Sequence, residues 1–122
     1  PMGQYFDFKT EINQYMDSIL AGGGRIALWG ASHLAFSVVS ASKTENKISY
    51  IVDSAPFKQG KFSPATGLEI FAPQHLTEDL ADTVIIMCPE YSSEIVADIQ
   101  NQYSHLISNI STFIDGKLQV VQ

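Results

Sequence analysis

Hydrophobic positions in this chain alternate between two spacings, and the alternation lays out its elements. Phe8, Ile12, Tyr15, Met16 and Ile19 recur every three or four residues, which puts them on one face of a helix. Asp7 stands where a side chain would cap that helix. Gly22-Gly23-Gly24 ends it, because glycine reaches the left-handed conformation that helix ends favour. The triplet precedes a strand instead of following one, so it reads as a linker and not as a phosphate loop. Ile26 to Trp29 is a continuous apolar run of strand length, as a parallel strand covered on both faces requires. Gly30 breaks the run. Ser32 is placed to cap a second helix that carries Leu34, Ala35, Val38, Val39 and Ala41 toward the sheet.

Lys43 to Asn46 is polar and turn-like, and Ile48 to Val52 makes the second strand, closed by Asp53. Ser54 to Gly67 follows neither period. Unstructured stretches of this length inside small domains are uncommon and often functional. Leu68 to Phe71 suits a short third strand, and Pro73 the start of a helix reaching about Leu80. Thr83 to Cys88 is the fourth strand, stopped by Pro89, and helical spacing resumes at Ile95, Val96, Ile99 and Tyr103. Leu106 to Ile110 reads as a fifth strand. Asp115-Gly116 is a two-residue hairpin turn between Phe113-Ile114 and Leu118 to Val121. Alternating strands and helices predict an α/β fold: a Rossmann-like three-layer sandwich with a mostly parallel central sheet and a C-terminal β-hairpin.

Composition narrows the picture. At 122 residues the chain suits a single domain over 1–122. A formal charge of −6 argues against a nucleic-acid surface, though local anion sites depend on where the seven basic residues lie. Apolar runs stay far below the roughly 20 residues that span a bilayer, so no membrane association is expected. No charged-then-apolar leader is present, and one cysteine allows no internal disulfide, which points to the cytoplasm. His33, His75 and His105 lack metal-ligand spacing, so no metal site is expected. The Pro1-Met2-Gly3 start suggests a piece of a longer protein.

In a doubly wound sheet, ligands bind beyond the carboxyl ends of the strands where strand order reverses. With the first and fourth strands as neighbours, that edge gathers Gly30, Ala31, Ser32 and His33, then Asp53, then Cys88 to Tyr91. The turn offers backbone N–H groups to an anion, and Asp53 falls where a carboxylate accepts from a ribose. Against G-x-G-x-x-G/A, however, only Gly30 and Ala35 fit, and Ser32 carries a Cβ where a pyrophosphate needs bare backbone. Tight dinucleotide binding is not expected. Turn-and-cap and nucleotide contact stand as equal readings of Gly30 and Ser32. His33 and Cys88 would act chemically only with partners that the sequence does not position. Glu90 and Glu94 flank Tyr91 at a helix start, which their complement to the helix dipole explains. Lys58 and Lys61 suit a phosphate clamp or plain solvation.

Three segments then carry a resemblance: Trp29-Gly30-Ala31-Ser32-His33, the run from Val52 to Thr66, and Tyr91-Ser92-Ser93-Glu94-Ile95. Together they resemble the C-terminal domain of sugar C-methyltransferases, over about residues 25 to 100. The most specific part is Asp-x-x-Pro-x-Lys-Gln-Gly-Lys-x-x-Pro, here Asp53 to Pro64. Many members of that family carry Lys-Gly where this chain has Leu34-Ala35, and glycine where it has Ala65. The resemblance implies an accessory domain that helps bind a nucleotide-linked sugar or similar substrate. Gly30 to His33 would face the ligand, and Lys58, Gln59, Gly60, Lys61 and Pro64 would form its loop, with Glu90 and Tyr91 beside it. It implies no catalytic residue and no cofactor on this chain, with S-adenosylmethionine held by an upstream domain. The alternative is a protein-interaction module with a vestigial nucleotide pocket, serving docking or homo-oligomer contacts.

Overall fold

The structure is a computed structural model and describes residues 7–122, so the Pro1-Met2-Gly3 start lies outside it. Six strands form one sheet: β1 (Ile26–Trp29), β2 (Tyr50–Val52), β3 (Ile70–Phe71), β4 (Thr83–Ile86), β5 (Asn109–Ile114) and β6 (Lys117–Val120). Their order is β3-β2-β1-β4-β5-β6, parallel throughout except for the antiparallel β5–β6 hairpin at Asp115-Gly116. Four helices cover the sheet: α1 (Phe8–Ala21), α2 (His33–Ser42), α3 (His75–Glu78) and α4 (Ser92–Gln102).

Strand residues point alternately to the two faces, and each face has its own core. Ile26 and Leu28 of β1 pack with Ile12, Met16 and Val39, so α1 and α2 lie on one side. Ala27 and Trp29 pack with Leu76, Ile99 and Tyr103, so α3 and α4 lie on the other. The chain leaves β1 for β2 and β3, then returns to β4 on the opposite flank. Strand order therefore reverses between β1 and β4, and a crevice opens at their carboxyl ends.

Several boundaries differ from the expectation, each for a local reason. Leu106 and Ile107 belong to a turn after α4, where both backbone N–H groups donate to Tyr103 O. The fifth strand instead runs unbroken from Asn109 to Ile114, through the buried polar residues Ser111 and Thr112. Ser111 Oγ donates to Tyr15 Oη at 2.8 Å, which satisfies it beneath α1. The helix expected from Pro73 is a single turn, and β3 is two residues long. Ala41 is exposed and does not reach the sheet. At the first helix end, Gly23 and not Gly22 takes the left-handed conformation.

The free edge of the sheet is held from α1. Glu11 Oε1 accepts the outward N–H of Leu118 at 3.0 Å, and the Phe8 and Phe113 rings meet edge to face 6.0 Å apart. Among the described residues, no helix is long and apolar enough to cross a membrane.

The α3 side contains a buried titratable group. The Tyr50 ring packs edge-on against Phe71 and His75, and its hydroxyl donates to Asp79 O. Burial, then the Asp79 charge, push the phenol from 10.0 up to about 12, while Arg25 opposes the shift. A folded value raised above the unfolded one gives stability that is complete below about pH 10 and lost by pH 12. At about 1.4 kcal/mol per pH unit, on the order of 2–3 kcal/mol should disappear across that window. Urea denaturation at pH 9 and pH 12 tests this, with Tyr50→Phe as the control that should lose less stability over the same interval.

Candidate functional site

The turn after β1 is built by close backbone approach. Gly30 has φ +121°, and an added Cβ would meet Cys88 Sγ and lie 3.3 Å from the Met87 carbonyl carbon and oxygen. Here β1 and β4 come so near that only glycine fits. Ser32 Oγ caps α2 by accepting from Ala35 N–H at 3.1 Å, and it donates to Met87 O at 3.0 Å. Ser32 thus ties the helix start to the end of β4. Gly30 N–H donates to Val52 O and Ala31 N–H to Asp53 Oδ2, both at 2.8 Å. The turn-and-cap reading therefore describes what these groups do in the structure.

Asp53 is the keystone of this edge. Only 8% exposed, it accepts from Ala31 N–H through Oδ2 and from Ala55 N–H through Oδ1 at 2.9 Å. Lys58 Nζ stands 3.5 Å from Oδ2, and Gln59 Nε2 donates to Asp53 O at 2.8 Å. The carboxylate thereby fixes the β1 turn and the following loop to each other.

That loop is more ordered than its sequence suggests. Pro56–Lys58 is one 3₁₀ turn, after which the chain folds back antiparallel on itself. Gly60 N–H donates to Ile70 O, Ile70 N–H to Lys61 O, and Ser63 N–H to Leu68 O. At the tip, Ala65 holds φ +64°, a left-handed conformation that favours glycine. Ala65→Gly relieves that strain but loosens the unfolded chain, so a small net gain is expected, about 0.5 kcal/mol or roughly 2 °C in Tm. A thermal melt checks it; a fall in Tm contradicts it.

Two adjoining clefts open on the α4 side, with Trp29, Ser54 and Asp98 common to both. The first, about 390 Å³, adds Asp53, Lys58, Cys88, Tyr91 and Glu94. The second, about 350 Å³, adds Gln59 and Tyr103. A third pocket of about 260 Å³ lies on the α2 side, where Ala31, Lys58, Lys61 and Pro64 meet three phenylalanines, Phe36, Phe57 and Phe62. Lys58 borders both sides. Burial, then the Asp53 charge, push the Cys88 thiol pKa up, and Sγ donates to Trp29 O at 3.8 Å. This thiol is not poised as a nucleophile.

The structure thus gathers Ala31, Asp53, Lys58, Gln59, Lys61, Pro64 and Tyr91 around these openings. Gly30 and Ser32 lie beneath as framework, while His33, Gly60 and Glu90 are exposed and line none of the three. Trp29, Asp98 and the phenylalanines were not singled out as site residues from the sequence. A signal existed for Asp98: Tyr91, Glu94 and Asp98 follow spacings of three and four, one face of a helix start.

An α/β domain with its crevice at a topological switch point belongs to the doubly wound class, whose ligands sit at the carboxyl edge. The family described as C-methyltransferase C-terminal domain matches residues 3–113, and the chain belongs to that family. No curated protein matches the chain. Among solved structures it is similar to the UDP-D-quinovosamine 4-dehydrogenase from Vibrio fischeri. That similarity has a TM-score of 0.59 and 13% identity, covering 81% of this chain and 93% of that one. At that identity, the likeness is one of fold.

Proposed function

We propose that this chain is the substrate-binding domain of a C-methyltransferase and holds a nucleotide-linked sugar at the carboxyl edge of β1, β2 and β4. The observation that carries this reading is the convergence of Asp53, Lys58 and Tyr91 on one cleft at the switch point. The cleft combines carboxylates that accept from hydroxyls with aromatic surface against which a sugar ring packs, and Lys58, on its border with the α2-side pocket, supplies an ammonium that pairs with phosphate. Family membership supports a methyltransferase setting, and the solved neighbour is named for a UDP-sugar dehydrogenase.

In this reading S-adenosylmethionine is not held at the Gly30 turn. The Gly30 and Ala31 N–H groups already have partners, and Asp53, the residue that would take the ribose, is turned onto backbone. In this reading the methyl donor belongs to an upstream domain, and this chain binds and orients the acceptor in the cytoplasm. The alternative is an interaction module, for which exposed Phe57, Phe62 and Tyr91 would be the contact surface.

Calorimetric titration of the 122-residue chain with uridine diphosphate glucose and thymidine diphosphate glucose tests the proposal. Saturable binding is expected, weakened about tenfold or more in Lys58→Met, as loss of a charge-assisted contact implies. A folded chain that binds neither ligand at millimolar concentration would remove the proposal.

A further inference from the structure

We propose that the ligand lies across the sheet edge in one direction, its nucleoside diphosphate end on the phenylalanine pocket of the α2 side and its sugar in the acidic cleft of the α4 side. This rests on the function proposed above and adds which end goes where.

Charge decides between the two sides. Asp53, Glu94 and Asp98 line the α4 cleft, with Lys58 as its one cation among the described residues. Asp53 is already taken by backbone N–H groups and Lys58, which leaves Glu94 and Asp98 to repel a diphosphate and to accept from sugar hydroxyls. The α2 pocket is lined by Lys58 and Lys61 and by no carboxylate. Lys61 makes no ion pair among the described residues, so its charge is available to an anion.

Shape and polarity agree. The α2 pocket is apolar apart from its two lysines, which suits a flat heterocycle and not a polyol. Phe57 is 70% exposed and Phe62 61% exposed, an uncommon placement for two neighbouring large apolar side chains. They are not on a loose loop, because the Gly60–Ile70, Lys61–Ile70 and Phe62–Glu69 pairings fix the backbone that carries them. The Lys58 and Lys61 ammonium groups lie 5.8 and 5.9 Å from the Phe57 ring centroid. A phosphate reaching both would therefore sit beside the ring on which a base stacks. Lys58, shared by the two openings, marks the point where the ligand crosses.

The test uses the full chain, with uridine diphosphate and uridine diphosphate glucose as probes, followed by calorimetry and by amide shifts in nitrogen–proton spectra. Uridine diphosphate alone should shift amides across Phe57 to Phe62, and the glucose conjugate should add shifts across Tyr91 to Asp98. The double variant Phe57→Ala/Phe62→Ala, at exposed sites, should keep the wild-type Tm and bind uridine diphosphate about tenfold or more weakly. Glu94→Gln/Asp98→Asn should keep uridine diphosphate binding and lose the additional affinity the glucose provides. Unchanged uridine diphosphate binding in the phenylalanine variant overturns the proposed direction, as does weakening of that probe by the carboxylate variant. In either case, retained binding of the conjugate to the wild-type chain leaves the proposed function standing. No binding of this conjugate by the wild-type chain overturns the proposed direction, and if thymidine diphosphate glucose does not bind either, the proposed function falls as well.

Discussion

Gly30→Ala is expected to cost the domain roughly 3–5 kcal/mol, a large share of the roughly 5–15 kcal/mol that holds an ordinary domain folded. Two independent penalties add. A non-glycine residue at φ +121° is strained, and its Cβ is driven into Cys88 Sγ and the Met87 carbonyl. The cysteine side chain can move, but the Met87 backbone cannot, since its N–H donates to Trp29 O at 2.8 Å within the sheet. Urea denaturation followed by circular dichroism gives the loss directly. The double variant Gly30→Ala/Cys88→Ala should recover only part of it, because the backbone strain and the Met87 contact remain. Wild-type stability in Gly30→Ala would contradict the close approach of β1 and β4.

Asp53→Ala is the second large effect, expected at about 3–4 kcal/mol. It removes a buried carboxylate that satisfies the Ala31 and Ala55 N–H groups and faces Lys58. Asp53→Asn keeps one carbonyl acceptor and should lose roughly half as much. Equal stability of all three proteins would mean that the carboxylate does not hold the turn and loop together. One consequence concerns function: lost binding in Asp53→Ala would reflect a disordered edge as much as a missing ligand contact. Lys58→Met is the cleaner probe, because Asp53 keeps both backbone donors in that variant.

Much of the fold was legible because periodicity and punctuation agreed. Gly30, Pro89 and Asp115-Gly116 each stand where a strand stops, and the apolar runs of β1 and β4 are buried on both faces. What escaped was tertiary. Ser111 sits buried inside β5 because Tyr15, far away in sequence, satisfies its hydroxyl. The segment after Pro73 supplies only one helical turn, with the Arg25 guanidinium pairing with Asp79 and donating to Leu80 O just beyond it.

The site divides in the same way. Asp53 to Pro64 could be read as a ligand loop, and the structure places Asp53, Lys58, Gln59, Lys61 and Pro64 of that run at the openings. Trp29 could not be assigned a side, because a strand apolar on both faces does not reveal which residues point where; the structure turns it toward α4. The phenylalanines look like core residues in sequence, yet Phe57 and Phe62 are held outward by the fold-back of the loop. Ala65 holds a left-handed φ, a conformation that glycine adopts without strain and an alanine side chain opposes.

The most direct measurement is a nitrogen–proton spectrum of the 122-residue chain titrated with uridine diphosphate glucose. The chain has one tryptophan, 4% exposed and lining both α4-side clefts, so a single indole signal reports on them. Saturable shifts at the Trp29 indole and at the Ser54, Lys58 and Tyr91 amides, lost in Lys58→Met at the same ligand concentrations, are the expected result. An unmoved Trp29 signal at millimolar ligand, or shifts confined to α1 and β6, would contradict ligand capture at the carboxyl edge.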